Sequence, residues 1–525
     1  MSSEIMLNPR QIYDDLNADL PRGRHERFIG TPPNAFFEPS QNLLATESLQ
    51  FEPKRNAASK WFLGVVGGTM VSGPRLRDGR ATRHVIGGTP IGVGDDRHQV
   101  LIAGSRAGKG RSVLVPNLVC LPSTTSIFCI DPKGDLARYT CRYRREILGQ
   151  NTGVLDPFGV SGPGTLKYRV SMNPMTMLNP NDRLTFVPNA KLIADSIVVS
   201  GDFKDRHWDE TSKAILAGLV LHVRCHERYS NVRDLVTVWQ LISELATPDP
   251  DDMNDYWLKK EMLGSDAAGG LVRNAARQFY DRTGGEFSSV LSNLRKHTDW
   301  IGIECMQNCL RGNSIDLRDL KRSSLALYSA LPAMRMGDLS GWNRLLVQLT
   351  LAAHEEVQEK SLDSTVLMLD EFNVLGHLSC LETAAAQIAG LQAKIVAVIQ
   401  DLGQLQSKYP KSWETFLANS GVVQAFGMAD QTTLEYFSKL MGQTPCISRS
   451  TNAPSFDQAA QQAATGESWS QSVHPLMNGQ EIGRYFSRDD QLLRQLVLRP
   501  GFRPAILQRA FYDQHEFFAG RFSHE

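Results

Sequence analysis

The sequence has no apolar run long enough to cross a membrane as a helix. The best candidate, residues 61–71 (WFLGVVGGTMV), falls well short of the ~20 residues that a spanning helix requires, and three glycines interrupt it. The first thirty residues are polar and of mixed charge, which does not fit a secretory signal. We therefore expect a cytoplasmic protein with no membrane span of its own, in which residues 61–71 form a strand or a buried turn.

Cysteine and histidine motifs are also missing. The eight cysteines form no CxxC pair, and the nearest two, Cys305 and Cys309, have no cluster of cysteine or histidine beside them. This pattern predicts reduced, mostly buried thiols and argues against a structural zinc site. The twelve histidines include no HExxH motif and none beside a nucleophile elbow, so metal-dependent hydrolysis and acyl transfer have no support.

The chain carries no net charge, because 56 lysines and arginines balance 56 aspartates and glutamates. No overall field therefore favours nucleic acid or a membrane surface. A protein that holds DNA only in a narrow channel needs local basic patches rather than a high total charge, so this balance does not exclude DNA as a partner.

What the sequence does contain is a series of short apolar runs that alternate with helical stretches. The runs are residues 100–103, 126–130, 325–330, 366–369, 395–399 and 422–426. Such runs, separated by helices, predict an α/β fold with a parallel central sheet covered on both faces. Between about residues 181 and 300 the apolar positions recur at helical spacing instead, which predicts an all-helical insertion.

The first of these strands leads into a glycine-rich loop. Glycines let the backbone close round phosphate oxygens, and Lys109 adds a charge for the β- and γ-phosphates of a nucleotide. Two positions depart from the usual phosphate loop, because Ala103 replaces its first glycine and Gly110 replaces the Ser or Thr that holds Mg²⁺. A plain glycine turn is the alternative. The candidate phosphate-binding residues are Ala103, Gly104, Ser105, Arg106, Ala107, Gly108, Lys109, Gly110 and Arg111.

Two carboxylates follow a later apolar strand, residues 366–369. An acid at the C-terminal end of such a strand can hold Mg²⁺ through water, and the next acid can polarise the attacking water. We assign Asp370 to the metal and Glu371 to the general base. The alternative is a strand followed by an acidic helix cap.

Two further polar residues end strands in the same way. Gln400 follows residues 395–399, where it could sense the γ-phosphate or orient water, or be a loop residue without a role. Asp131 follows residues 126–130. Ligands of open parallel sheets bind beyond the carboxyl ends of the strands, so we expect Asp131, Asp370, Glu371 and Gln400 to share that edge.

The changes of pattern along the sequence divide the chain into four parts. We expect an N-terminal arm without transmembrane helices at residues 1–85 and the first part of a nucleotide-binding domain at 86–180. The all-helical domain follows at 181–300, and the second part of the nucleotide-binding domain at 301–525. The arm is expected to be irregular.

Together the motifs resemble those of the coupling ATPases of type IV secretion and conjugation. GKG in place of GKS or GKT is usual in that family, and the resemblance runs from about residue 98 to the end. The similar segments are IDPKGDL (130–136), VLDPF (154–158), MNP (172–174), HWDE (207–210), LDEFNVLG (369–376), HPLM (474–477), PGFRP (500–504) and FYD (511–513).

The resemblance implies a RecA-like P-loop NTPase that binds ATP and Mg²⁺ and assembles as a ring of six. It implies as partners the components of a secretion channel, together with DNA–relaxase complexes or protein effectors. ATP would lie between subunits, with an arginine of the neighbour completing the site. Arg335 and Arg344 are the candidates for that arginine, and a surface or interface ion pair is the alternative for each.

Members of this family usually begin with two membrane-spanning helices, and this sequence shows neither. We expect it to dock peripherally at the inner membrane on a partner, to act as a soluble variant, or to serve a mobile element with another arrangement. The leading hypothesis is a DNA-delivering ATPase. The alternatives are a receptor for protein effectors and a nucleotide-gated scaffold with little hydrolysis.

Overall fold

The computed structural model describes residues 35–75, 81–199, 206–282, 285–359, 363–382, 388–452 and 466–523. The strands in these residues are β1 (Trp61–Val66), β2 (Thr69–Arg75), β3 (Ala81–Ile86), β4 (Thr89–Val93), β5 (His98–Ala103), β6 (Ile127–Asp131), β7 (Asn151–Leu155), β8 (Pro248–Asp249), β9 (Asp252–Tyr256), β10 (Leu325–Ala330), β11 (Thr365–Leu369), β12 (Ala393–Ile399), β13 (Ser420–Phe426), β14 (Gln443–Asn452), β15 (Gly466–Pro475), β16 (Arg494–Leu498) and β17 (Ala505–Gln508).

Along the chain, α-helices alternate with these strands. The α-helices are Ser40–Ala45, Val115–Cys120, Asp135–Arg142, Phe186–Ile197, Arg206–Cys225, Leu235–Glu244, Trp257–Leu263, Ala267–Tyr280, Gly285–Thr298, Glu304–Arg311, Asp319–Arg322, Ser340–Glu356, Leu402–Lys408, Trp413–Ala418, Gln431–Leu440 and Gly479–Tyr485. The chain divides into two units, the first from residues 1–122 and 396–522 and the second from residues 123–395 and 523–525.

The sheet of the first unit has the order β4-β1-β17-β16-β13-β5-β12, where residues 396–399 of β12 belong to this unit. Strands β13, β5 and β12 are parallel, and β16, β17, β1 and β4 continue the sheet with antiparallel pairs. All six residues of β5 and all seven of β13 are buried. The predicted apolar runs at 100–103 and 422–426 are therefore strands, as expected for a sheet covered on both faces.

The expectation of an irregular arm over residues 1–85 is wrong for the residues that the structure describes. Strand β1 is fully buried and lies between β4 and β17 in the sheet, and its Trp61 donates a hydrogen bond from Nε1 to Gln424 Oε1 (3.0 Å). Six consecutive buried residues need cover on both faces, which only a place inside the sheet supplies. Of the strand or buried turn predicted at residues 61–71, the structure shows strands, namely β1 and the start of β2. Residues 1–34 and 76–80 lie outside the described residues.

The sheet of the second unit is parallel throughout, in the order β11-β6-β10-β7. The predicted runs at 126–130, 325–330 and 366–369 form β6, β10 and β11, and their residues are buried. Strand β7 was not predicted because its first three residues, Asn151–Gly153, are not apolar. The fold is the predicted α/β class.

Residues 186–311 of the second unit are mostly helical. The longest helix, Arg206–Cys225, packs closely on Ala267–Tyr280, because Gly218 has no side chain and a Cβ there would overlap that of Ala275. Among the described residues of 181–300, the short hairpin β8–β9 departs from the predicted all-helical insertion. The proposed domain boundaries remain a prediction.

None of the helices in the described residues combines the length and the apolar character that crossing a bilayer requires.

Candidate nucleotide site

The residues predicted to form the site fall into two groups. The phosphate loop and Gln400 belong to the first unit, and Asp131, Asp370, Glu371, Arg335 and Arg344 belong to the second.

The phosphate loop leaves the end of β5 and leads through a π-helical turn, Gly110–Leu114, into the helix Val115–Cys120. Two of its glycines are required by the backbone. A Cβ on Gly104 would overlap the carbonyl oxygen of Gly427, which follows β13, and Gly108 has a φ of +90°. The loop therefore turns tightly against the end of the neighbouring strand.

The two departures from the usual motif are accommodated without strain. Ala103 is the last residue of β5, is fully buried, and pairs with Phe426 of β13 in a parallel ladder where a Cβ has no conformational cost. A Cβ on Gly110 would meet no atom within 4 Å. Neither position prevents this loop from enclosing a phosphate, although Gly110 offers no hydroxyl for a metal ion.

A buried arginine from the end of the chain supports the loop. The Nη1 of Arg509 donates to the carbonyl oxygen of Ala107 (2.7 Å), its Nε donates to Leu493 O (3.3 Å), and its guanidinium lies 4.6 Å from the ring centroid of Phe426. Only 1% of Arg509 is exposed, and this burial lowers its pKa to about 10. The guanidinium thus fixes the loop to the strands on which it rests.

Gln400 lies beside the loop. Strand β12 runs parallel to β5 with Ile399 opposite Ile102, so Gln400 follows its strand at the level of Ala103. The side chain is half-buried, and its backbone N–H donates to Oε1 of Gln404 (3.4 Å). The structure therefore brings Gln400 and the phosphate loop to one edge of the first unit's sheet.

Two carboxylates lie side by side in the second unit. Strands β6 and β11 are parallel neighbours with Ile130 opposite Leu369, which places Asp131 and Asp370 at adjacent strand ends. Asp131 is 2% exposed and accepts a hydrogen bond from the backbone N–H of Ala137 (2.8 Å). Burial, together with the negative charge of Asp370, raises the pKa of Asp131 to about 7.

Glu371 has an unusual backbone. Its φ of +63° and ψ of +51° lie in the left-handed region, which glycine and asparagine tolerate much better than glutamate. A 3₁₀ turn, Phe372–Leu375, follows at once. Strained conformations of this kind cluster at functional sites, where the surroundings hold them, so the conformation agrees with the role predicted for Glu371.

The two candidate arginines have different environments. Arg335 is exposed, follows β10, and lies 5.9 Å from the ring centroid of Phe158. Arg344 is buried, and its guanidinium donates to the carbonyl oxygens of three residues: Ser196, Leu375 and His377. The prediction that Arg344 reaches a neighbouring subunit is therefore wrong, because its hydrogen bonds are used inside its own chain. Arg335 keeps that role as a prediction.

The carboxylate pair suits a hard divalent cation. Carboxylate oxygens are the protein ligands that Mg²⁺ prefers, and a cation would relieve the repulsion that raises the pKa of Asp131. Among the described residues no group of three or more His, Cys, Asp or Glu side chains could hold a metal ion. One or two carboxylates are nevertheless sufficient for Mg²⁺, because water and substrate phosphates complete its shell.

Sequence reasoning missed the contribution of the C-terminal segment to the loop. The FYD segment was recognised as a family landmark, without a role, and Arg509 was not singled out. The backbone N–H of Tyr512 donates to Arg111 O (2.9 Å). Asp513 forms a bidentate ion pair with the Arg111 guanidinium, in which Nη2 and Oδ2 are 2.7 Å apart. These partners are about 400 residues apart, and nothing local in the sequence signals such contacts.

The comparison with protein families decides the affiliation. The family model described as type IV secretory system conjugative DNA transfer matches residues 58–524. The chain belongs to this family. Its curated relatives include VirD4 of Rhizobium radiobacter, 25% identical over 378 residues, which are 70% of this chain and 51% of that protein. The conjugal transfer protein TraG of Escherichia coli is 24% identical over 405 residues, or 74% of this chain and 61% of TraG.

The conjugative DNA transfer family thus includes proteins longer than this chain, which spans about half to three-fifths of the length of the relatives it matches. Solved structures of the coupling protein TrwB share the fold. The sulphate complex superposes with a TM-score of 0.58 at 16% identity, over 85% of this chain and 95% of TrwB. The complex of TrwB with ADP and Mg²⁺ gives a TM-score of 0.56 at 16% identity, over 86% of this chain and 95% of TrwB. The predicted RecA-like P-loop fold is confirmed.

Proposed function

We propose that this chain is an ATP-hydrolysing coupling protein that delivers DNA, as a relaxase–DNA complex, to a type IV secretion channel during conjugation. The phosphate loop carries the proposal, because Lys109 begins a helix immediately after a glycine loop whose backbone is hydrogen-bonded to Arg509 and to the carbonyl oxygen of Phe426. The names of the relatives, conjugal transfer protein TraG and coupling protein TrwB, support the cargo and the setting.

The proposed mechanism gives each residue one task. Backbone N–H groups of residues 104–110 and the Lys109 ammonium bind the β- and γ-phosphates. Asp370 would hold Mg²⁺, which would supply neutralisation of the phosphate charge, and Asp131 is the neighbour of Asp370 in the same unit. Glu371 accepts a proton from the attacking water, and Gln400 orients that water or senses the γ-phosphate.

The active form is proposed to be a ring of six in the cytoplasm, with Arg335 of each subunit reaching the nucleotide of its neighbour. The exposure of Arg335 is what this role requires. Removing an arginine of this kind from a phosphoryl-transfer site costs ~10³-fold or more in turnover. Arg335→Ala should therefore abolish turnover at concentrations where the ring forms while leaving ATP binding to the isolated chain unchanged.

The first experiment measures ATP hydrolysis by the purified chain with and without single- and double-stranded DNA. We expect DNA to raise turnover, Glu371→Gln to lower it by ~10²-fold or more as the loss of a general base, and Lys109→Ala to abolish nucleotide binding. The exposed residues Lys411 and Glu414 of the first unit supply matched controls, Lys411→Ala and Glu414→Gln, which should hydrolyse ATP normally.

Each alternative gives a different result. If Lys109→Ala and Glu371→Gln abolish ATP hydrolysis but DNA does not change its rate, DNA delivery is rejected and a receptor for protein effectors is favoured. ATP binding without turnover would reject the motor and favour a nucleotide-gated scaffold.

A further inference from the structure

Arg111 is the last of the candidate phosphate-binding residues, and the contacts of its guanidinium do not fit a phosphate ligand. Its Nη2 donates to both carboxylate oxygens of Asp513 (2.9 and 2.7 Å), and its Nε donates to Oδ1 of the same carboxylate (3.2 Å). A guanidinium binds phosphate best with the same two-nitrogen edge. Because Asp513 already occupies that edge, Arg111 is poorly placed to grip a phosphate.

One face of the same guanidinium is covered by an aromatic ring. The Cζ of Arg111 lies 4.4 Å from the ring centroid of Phe511, which is almost fully buried. The Phe511 ring also reaches the loop itself, since a Cβ on Gly108 would stand 3.8 Å from its Cε1 atom. The Arg111 side chain nevertheless remains 44% exposed. A flat guanidinium surface backed by Phe511 therefore lies open beside the phosphate loop.

We propose that the open face of Arg111 stacks on the nucleobase, so that Arg111, Phe511 and Asp513 form the base-binding wall of the nucleotide site. This inference rests on the proposed function, and it transfers Arg111 from the phosphates to the base. Asp513 fixes the guanidinium plane and neutralises its charge, and Phe511 supports it from behind. The wall recognises the π-face of a base rather than its edge.

A π-face offers the same surface in adenine and guanine, and a larger one than in pyrimidines. The substrate class that follows is purine nucleoside triphosphates, with little discrimination between ATP and GTP. CTP and UTP should bind more weakly because a single ring covers less of the guanidinium.

The test compares the dissociation constants of ATP, GTP and inorganic tripolyphosphate, which has the phosphates but no base, for the unchanged protein and its variants Arg111→Ala and Arg111→Lys. We expect Arg111→Ala to weaken ATP and GTP by about tenfold, the size of one stacking contact, and to change tripolyphosphate less than about twofold. Arg111→Lys keeps the charge and loses the flat face, so it should behave like Arg111→Ala.

The chain offers a matched control. Arg97 forms a similar bidentate pair with Asp95 (2.9 and 2.7 Å), and its side chain is 43% exposed. Arg97 lies just before the start of β5, whereas the phosphate loop lies at the end of that strand. Arg97→Ala should leave every affinity unchanged. This control separates loss of an exposed ion pair in the same unit from loss of the stacking face.

Each other outcome overturns the inference. Normal ATP affinity in Arg111→Lys would mean that charge matters and that Arg111 serves the phosphates. Equal weakening of ATP and tripolyphosphate would mean that the Asp513 pair only holds the loop in shape. If neither ligand binds the unchanged protein, the proposed function itself fails, and that result is distinct from both.

Discussion

The phosphate loop of the first unit and the carboxylate pair of the second are stabilised in opposite ways. In the loop, the carbonyl oxygen of Ala107 accepts a hydrogen bond from Arg509. The backbone N–H of Gly104 donates to the carbonyl oxygen of Phe426 in β13. At the pair, Asp131 is buried beside Asp370, and the next residue has a left-handed backbone. The loop that we propose to bind an anion is thus supported before any ligand is present, whereas the pair that we propose to bind a cation has two adjacent carboxyl groups whose repulsion a cation would relieve.

The strongest test of this comparison is Asp131→Asn. An aspartate whose pKa is raised on folding destabilises the fold above that pKa: the penalty is absent below about pH 4, grows as pH rises, and is complete above about pH 7. A shift of about three pKa units corresponds to at most ~4 kcal/mol, so we expect the variant to gain about 2–4 kcal/mol in unfolding free energy at pH 8. Asparagine can still accept the hydrogen bond from Ala137.

Urea unfolding of both proteins at pH 5 and pH 8 measures this gain. The difference between the two proteins should be larger at pH 8. Because the variant also loses a carboxylate of the proposed site, stability and nucleotide turnover should move in opposite directions. A variant that is less stable at both pH values would remove the contrast between the two regions.

The loop side of the comparison is tested with two glycines. In Gly104→Ala the new Cβ overlaps the carbonyl oxygen of Gly427, so the backbone must move. Overpacking of this kind costs about 2 kcal/mol, which corresponds to roughly 30-fold weaker ATP binding in a calorimetric titration. Gly110→Ala is the control, since its Cβ meets nothing, and we expect less than about twofold change. Equal effects at both positions would show that the loop is not preformed.

The smallest expected effect concerns the backbone of Glu371. Alanine is strained at a φ of +63° and glycine is not, so Glu371→Gly should be more stable than Glu371→Ala by about 1 kcal/mol. Both lack the carboxylate and should be equally inactive. Glu210, in the helix Arg206–Cys225, supplies the reverse case, because there alanine should be more stable than glycine by about 1 kcal/mol. Thermal unfolding of the four variants is sufficient to decide.

The sequence was most informative where chemistry is local. Strands such as β10 were predicted to the residue because fully buried strands are continuous apolar runs, and Asp131 and Asp370 were placed correctly because parallel strands end at one edge. The antiparallel strands β16 and β17 were not predicted. They are short, and buried polar side chains reduce their apolar runs to three residues each, because Gln495 is the second residue of β16 and Gln508 is the last of β17.

Partners that are far apart in the chain were beyond the reach of pattern reasoning. Nothing in the sequence distinguishes Arg335 from Arg344. In the structure Arg335 is exposed, whereas Arg344 is buried and donates hydrogen bonds to backbone carbonyl oxygens. In the same way, only the structure shows that Arg509, Phe511 and Asp513 contact the phosphate loop. A periodicity or a spacing carries no information about a contact across four hundred residues.

The clamp that Arg509 forms on Ala107 spans 402 residues, and this has a consequence for synthesis on the ribosome. At ~5–20 residues per second, roughly 20–80 s separate the emergence of the loop from that of the arginine that secures it. During that interval the nascent loop lacks its support, and so does strand β1, whose neighbour β17 is also made last. A product released before residue 509 would therefore have a phosphate loop without this clamp, and the proposed nucleotide binding would depend on translation having passed this point.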